Sequence, residues 1–316
     1  MNLPRIAAVV VVHQDDPRVT ACLDALRSSE GVVVSAVVVD NGASAGVPPS
    51  LGGAHGDGVG GAIRRSLRLR RTANPGFAAG FNDGLAASGP EAPYVLSLNP
   101  DCYVRPDAVR LAAAELDRDP RLGAVAFRLY RTGEVALDSA GIVLDPILWR
   151  ASDRGAGQAA AGRYLKPEDV AAACLAGALL RRTALYAAAD GGGEVLDSRY
   201  FAYQEDVDLG ARLRRAGWRI RYLPEAVATH ERGWKEGERR AQPLFLRRCS
   251  VRNRLWNVLK NESWPAIFLR LPVLLLYEIA RASYLLVREP DVLPAYRQAW
   301  RGVRETLRRR HSPRKP

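Results

Sequence analysis

Two short runs of apolar, mostly β-branched residues constrain this chain more than anything else in it. Residues 5–12 read RIAAVVVV and residues 32–39 read VVVSAVVV. Neither run alternates with polar residues, so neither suits a strand with one face in water. Continuous apolar runs of this length fit strands buried on both faces, as in a parallel sheet covered by helices. Between them, PRVTACLDALRSS places Val19, Cys22, Leu23 and Leu26 at helical spacing. Strand, helix and strand in that order predict an α/β fold.

The alternation continues downstream. A strand is predicted around 66–71, then NPGFAAGFNDGLAAS (74–88) as a turn and a helix. YVLSLN (94–99) reads as a strand and 106–117 as a helix. Further strands are expected at 123–130, 134–137, 172–181 and 218–222, with a polar Gly/Ala loop at 151–163 and a helix over 205–216. Residues 43–62 contain seven glycines but lack the GxxxxGK[ST] spacing, so they read as a surface insertion and not a phosphate loop.

Charge divides the chain unevenly. The formal net charge is +12, yet residues 1–230 carry 26 Lys+Arg against 26 Asp+Glu, and residues 231–316 carry 20 against 8. A balanced body with a basic end points to an anionic surface as a partner for that end. Nucleic acid is not expected, because the body lacks interleaved basic and aromatic residues. Residues 242–260 predict a basic amphipathic helix, with Leu244, Val251, Leu255 and Leu259 on one side and arginines opposite. Residues 264–287 are strongly apolar but are interrupted by Arg270, Glu278 and Arg281, and Pro272 is expected to kink them. Their longest uncharged run, 271–277, falls far short of the ~18 residues of a spanning helix, so a packed or interfacial helix is expected. Four cysteines without CxxC spacing predict reduced, cytoplasmic thiols. The N-terminus lacks the basic leader of a signal peptide.

The candidate chemistry begins at LSLNPDCYV (96–104). Asn99-Pro100-Asp101 interrupts a buried strand and places a carboxylate at its C-terminal end, where open α/β sheets bind ligands. With a divalent cation, such a carboxylate can hold a diphosphate. An ordinary turn is the other reading of the same three residues. Asp40 ends a second buried strand. Glu205 and Asp206 open a predicted helix, where they serve either the helix dipole or a general-base role. His230 ends a strand and joins Asp101 as a candidate metal ligand.

These pieces stand in a recognisable order. AVVVVHQDD, VVVDNGAS (37–44), NPGFAAGFNDGL (74–85), LSLNPDCYV (96–104), LAGALLRR (175–182) and FAYQEDVDLGARLRRAGWRIRYLPEAVATH (201–230) resemble the family 2 glycosyltransferases of GT-A fold. Within that family they are similar to the rhamnosyltransferase-like bacterial enzymes, over roughly residues 5–260. The resemblance implies a single nucleotide-sugar-binding domain over 1–240, with a central mixed, mostly parallel sheet flanked by helices. A helical extension over 241–316 would follow, its tail disordered from about 305. It implies inverting transfer of a sugar from a nucleoside diphosphate sugar in cell-surface polysaccharide synthesis. The leading donor is dTDP-L-rhamnose; a UDP-hexose or UDP-N-acetylhexosamine is the alternative, and the acceptor is a glycan or polyprenyl-linked sugar.

Position by position, the resemblance makes Asp101 and His230 ligands of Mg2+ or Mn2+. Asn99 stands where many relatives have the first Asp of an Asp-x-Asp motif, facing ribose or sugar. Val12 and His13 would line the base pocket, Asp40 would bond the pyrimidine, and Asn74, Gly76 and Phe77 would form the donor-side loop. Gly177 would lie under donor sugar and acceptor, Asp206 would be the general base, and Glu205 is the second candidate. The basic C-terminal region would hold the enzyme on the anionic inner face of the plasma membrane; otherwise it packs on the catalytic domain or pairs two copies. A nucleotidyltransferase or dinucleotide oxidoreductase is disfavoured, because no glycine-rich loop follows the first strand. A non-catalytic glycan-binding protein with a decayed site is disfavoured by the joint presence of Asp101, Glu205, Asp206 and His230.

Overall fold

The computed structural model describes residues 3–42, 61–133, 135–231 and 239–310. The first half alternates as the apolar runs require. It comprises β1 (Arg5–His13), α1 (Arg18–Arg27), β2 (Val33–Asn41), β3 (Ile63–Arg71), α2 (Phe77–Ala87), β4 (Tyr94–Leu98), β5 (Cys102–Val104) and α3 (Ala108–Arg118). There follow β6 (Leu122–Arg131), the short β7 (Leu137–Ser139), β8 (Ile142–Leu144), β9 (Ala151–Asp153) and β10 (Glu168–Asp169), then β11 (Gly177–Arg181) and α4 (Arg182–Ala187). The chain closes with α5 (Glu205–Arg215), β12 (Arg219–His230), α6 (Leu244–Asn261), α7 (Trp264–Arg288) and α8 (Pro294–Arg308).

One mixed sheet organises these elements, in the order β10-β12-β6-β11-β4-β1-β2-β3, with β5 added to β12 and β7 to β6. β1 pairs in parallel with β2 and β4, β2 with β3, and β6 with β12. β11 runs antiparallel between β4 and β6. Two apolar cores cover the two faces, one beneath α1 and α3, the other beneath α2, α4 and α5. Continuous burial of β1 and β4 follows directly.

The structure departs from the sequence expectations at several places. The strand expected over 172–181 forms only from Gly177, because the preceding residues turn away to face a cavity. The strand expected over 218–222 continues to His230, crossing Pro224 by a register shift between Leu223 and Val227 that absorbs the missing N–H. Helix α7 runs through Pro272, which lies on its exposed face, without ending there. Helix α8 continues to Arg308, against the tail expected from about 305. Most of the glycine-rich stretch (43–60) and residues 311–316 lie outside the described residues.

Helix α6 differs most. Its arginines do not form a solvated face opposite its leucines. Asn253, Arg254, Asn257 and Lys260 are buried with Val251, Trp256 and Val258, and the helix packs on α5 and α8. The expected boundary at residue 240 is therefore not a boundary in packing. Among the described residues, no helix is long and apolar enough to cross a membrane.

Candidate active site

The first wall of the site is built from strand ends. A turn closed by Cys102 N donating to Asn99 O (3.1 Å) carries Asp101 off the end of β4. β5 then pairs antiparallel with β12 so that His230 stands opposite Cys102, one residue from Asp101. His230 Nε2 lies 3.4 Å from Asp101 Oδ1 and 3.5 Å from Asn99 Nδ2. On the other side of the ring, Nδ1 is 2.7 Å from Oδ2 of the buried Asp138. Burial alone would lower the pKa of the imidazole; hydrogen bonds to Asp101 and Asp138 outweigh it and raise the pKa to about 9. Arg18, at the start of α1, donates from Nη1 to Asp101 Oδ2 at 3.2 Å.

The second wall is helical and strained. Phe201 (φ 65), Tyr203 (φ 69) and Gln204 (φ 72) hold left-handed backbone conformations, each costing ~1–3 kcal/mol for a non-glycine residue. Side chains of α6 keep them there. Asn253 Nδ2 donates to the carbonyls of Tyr200 (2.9 Å), Ala202 (3.1 Å) and Tyr203 (2.8 Å), and Asn257 Nδ2 donates to that of Gln204 (3.1 Å). The loop so held delivers Glu205 and Asp206 at the start of α5. Glu205 is buried and its Oε2 has no hydrogen-bond partner among the described residues. Burial, and then the charge of Asp206, push the Glu205 carboxyl up to about 8. Asp206 is half-buried.

Asp208, one turn further, points elsewhere. It pairs with Arg212 and with the fully buried Lys260, whose Nζ also reaches Asp190 (3.2 Å) and Asp197 (3.0 Å). Burial alone would raise the Asp208 carboxyl; Arg212 and Lys260 hold it well below the usual range. Asp190, Glu194 and Asp197 together offer three ligand atoms within 4.8 Å of one another. Lys260, Arg199 and Arg309 already supply their counter-charge. This cluster ties α6 and α8 to the body and does not line the cavity described next.

The two walls face each other across a cavity of about 580 Å3. Phe77, Asn99, Asp101, Glu205, Asp206 and His230 all line it, with Cys174, Leu175 and Ala176 also contributing. Gln242, Leu246, Arg247 and Ser250 from the C-terminal region complete it. Gly177 does not line it. A Cβ there would lie 2.9 Å from Leu129 Cδ2 and 3.2 Å from Cys102 Sγ, so Gly177 serves core packing, and residues 174–176 line the cavity instead.

The remaining expected residues gather at the ends of β1 and β2. Val12 stands in register with Asp40 and His13 with Asn41. Val12 turns its side chain into the core, while His13 is exposed, and Gly42 lies close to both His13 and Asn74. Asp40 is fully buried against Arg68 and lies 3.9 Å from Arg70 Nε. Asn74 Oδ1 accepts from Gly76 N (2.9 Å). Gly76, at φ 92, packs so closely on Phe201 that a Cβ would collide with its backbone. The loop at 74–77 thus touches the strained loop of the second wall.

Sequence reasoning missed Asp138, Arg18 and the whole contribution of α6. Asp138 and Arg18 have no local signature. Asn253, Asn257 and Lys260 did leave one: polar residues at i, i+4 and i+7 along an otherwise apolar-rich helix mark a buried polar stripe.

Asp101 and His230 at strand ends of a mixed α/β sheet, facing Glu205 and Asp206 at a helix start, are the arrangement expected of a GT-A glycosyltransferase. The chain belongs to glycosyl transferase family 2, whose family model ("Glycosyl transferase family 2") matches residues 7–188. It is 28% identical over 270 residues to the N-acetylglucosaminyl-diphospho-decaprenol L-rhamnosyltransferase of Mycobacterium tuberculosis, covering 76% of this chain and 80% of that one. Among solved structures, S. aureus TarS aligns with TM-score 0.58 at 13% identity, over 96% of this chain and 49% of TarS. GalNAc-T7 with UDP, GalNAc and Mn2+ aligns at 0.59 and 11% identity, over 82% of this chain and 48% of that one. The mannosyltransferase PcManGT from Pyrobaculum calidifontis, with GDP-Man and Mn2+, aligns at 0.54 and 16% identity, over 96% and 76%. The chain spans about half the length of the first two of these structures, and the likenesses establish the fold.

Proposed function

We propose that this glycosyltransferase moves L-rhamnose from dTDP-rhamnose, with inversion, to a hydroxyl of a polyprenyl-diphosphate-linked sugar. The observation that carries the reading is the meeting of Asp101, His230, Glu205 and Asp206 around one cavity. The choice of donor and acceptor is supported by the curated relative, whose name states both the rhamnosyl transfer and the N-acetylglucosaminyl-diphospho-decaprenol acceptor.

The donor set fits a divalent cation. A carboxylate and an imidazole converge on the cavity, and Asp138 orients the ring through its other nitrogen, the usual support of a metal-ligating histidine. Asp101 and His230 would hold Mg2+ or Mn2+, which when bound supplies Lewis-acid neutralisation of the leaving diphosphate. With its pKa raised to about 9, His230 must release a proton to act as a ligand. Asp206 is the general base: it takes the proton of the acceptor hydroxyl as that oxygen bonds to the anomeric carbon and the diphosphate departs. Burial holds the Glu205 carboxyl toward its protonated form, which favours Asp206, the less buried of the two, as the base. His13, Asn74 and Gly76 would line the nucleobase pocket, and Asp40, buried against Arg68, would back that pocket through the arginine.

Helix α7 is the candidate for the membrane surface, in place of α6. Its charged residues Arg270 and Glu278 turn inward, to Pro146 O and to Tyr296 and Arg254. Leu269, Leu276 and Val287 turn outward, 83%, 68% and 79% exposed. Exposed Arg297, Arg301, Arg304 and Arg308 on α8, beside Trp300, favour an anionic bilayer.

A thermal-shift and nucleotide-release screen with Mn2+ tests the reading against dTDP-rhamnose, UDP-glucose, UDP-galactose, UDP-N-acetylglucosamine and GDP-mannose. Stabilisation by dTDP-rhamnose, lost in Asp101→Ala, is expected. Preference for a UDP-sugar would replace the donor; no response to any donor would sink the reading. Asp206→Asn should lower turnover by ~10²–10⁴-fold and Glu205→Gln far less. The reverse order would make Glu205 the base.

A further inference from the structure

A second, smaller cavity of about 310 Å3 adjoins the first. The two share Ala151, Gln204 and Ser250 as walls, so they communicate beside the residue that precedes Glu205. The annex is lined by three arginines, Arg150, Arg254 and Arg281, and by no carboxylate. Arg254 has a partner for its charge in Glu278, and it also donates to Leu148 O. Arg150 is exposed, near the Asp145 carboxylate, and Arg281 is half-buried; neither side chain hydrogen-bonds to a described residue. Nη1 of Arg281 and Nε of Arg254 are buried without a partner. A guanidinium with a buried N–H and no anion, as in Arg281, is costly, and the planar donors of the three arginines match phosphate oxygens in pairs.

We propose that this annex holds the diphosphate of a lipid-linked acceptor. The position fits that ligand in two ways. On one side, Gln204 and Ser250 open to the cavity of Asp206, where the sugar attached to that diphosphate would present its hydroxyl. On the other, the annex is walled by Tyr277, Arg281, Tyr284 and Leu285 of α7, the helix whose opposite face is apolar and exposed. A prenyl chain leaving the diphosphate would therefore be released against the helix best suited to a bilayer. The strained Trp149 (φ 53) and Gln204 (φ 72) flank the annex from two loops, the first placing Arg150 and the second joining the two cavities.

The inference rests on reading the first cavity as that of a transferase with a polyprenyl-linked acceptor, and its test separates the two. Two soluble acceptors are compared: N-acetylglucosaminyl diphosphate carrying a short prenyl chain, and an alkyl N-acetylglucosaminide lacking the diphosphate. Arg281→Ala and, separately, Arg150→Ala should raise KM for the first by roughly tenfold to a hundredfold, the loss expected of a charge-assisted hydrogen bond. KM for the donor and for the second acceptor should stay as in the wild type. Arg281→Lys should recover part of the loss, and thermal unfolding checks that each variant is folded. Equal losses with both acceptors would overturn the proposal. So would unchanged acceptor kinetics with loss of binding to phosphatidylglycerol vesicles, which would assign the arginines to a lipid headgroup. Calorimetric binding of the prenyl diphosphate acceptor to the donor-free protein gives a readout independent of turnover. Arg281-dependent binding without any sugar transfer would keep the annex and remove the transferase reading; absence of binding would remove the annex.

Discussion

The two walls of the cavity are made by opposite means. The strand-end wall places Asp101 and His230 by backbone register alone: β5 against β12, with Asp138 behind the imidazole. The helical wall places Glu205 and Asp206 on a loop with three left-handed residues, which α6 clamps from about fifty positions further along the chain. The first wall draws on hydrogen bonds that the sheet makes in any case. The second draws on side chains from a region that composition alone would set apart as a basic appendage. The difference teaches that α6 is part of the cavity wall and that trimming it removes the clamp on the strained loop.

The sharpest way to break this comparison is Lys260→Ala. It leaves Asp190, Asp197 and Asp208 buried without their central cation, and should cost about 3–5 kcal/mol by urea unfolding. Wild-type stability in that variant would mean that the helical wall needs no support from α6.

A pH titration of stability should separate two kinds of carboxylate within the same wall. Glu205 is raised in the folded state, from 4.5 to about 8. Its contribution is therefore fully present below about pH 4.5 and is lost as pH rises toward 8, at up to about 1.4 kcal/mol per pH unit. Glu205→Gln should flatten that slope; an unchanged slope would assign it to other groups. Asp197 and Asp208 are lowered in the folded state, so their contribution is present above about pH 4 and is lost as pH falls below it.

Asn253→Ala is the more local cut. It removes the donor shared by three carbonyls of the strained loop and should cost about 1–3 kcal/mol. Turnover should fall while donor affinity, set by the strand-end wall, holds. Loss of donor affinity to the same degree would show that the walls are coupled.

The smallest expected effect on stability comes from α7. Leu276→Glu, at a site 68% exposed, should change unfolding by no more than about 0.5 kcal/mol. It should nevertheless weaken sedimentation with phosphatidylglycerol vesicles. Unchanged vesicle binding, with a shift from dimer to monomer by light scattering, would give the apolar face to a second copy of the chain.

Much of this molecule was legible before any coordinates. The apolar runs at 5–12 and 32–39 required a covered parallel sheet, and β1 and β2 pair as those runs imply. Asn99-Pro100-Asp101 marks a strand end, and with His230 it opens on the cavity. These features are local: strand burial and turn chemistry are written in neighbouring residues. Where the expectations erred, the deciding contact lay far away in sequence. The resemblance places Gly177 beneath the substrate, but Leu129 and Cys102 fill the space a side chain there would need. The pattern of α6 predicts a basic amphipathic helix with its arginines on one side, but its buried asparagines and lysine answer carbonyls and carboxylates 50 to 70 residues away. Helix α7, the more apolar of the two, exposes what α6 buries. Pattern alone determines that a helix has two chemically different faces. Which face turns inward depends on the partners the fold brings to it, and here buried carboxylates and unpaired carbonyls met α6, while α7 kept its apolar side exposed.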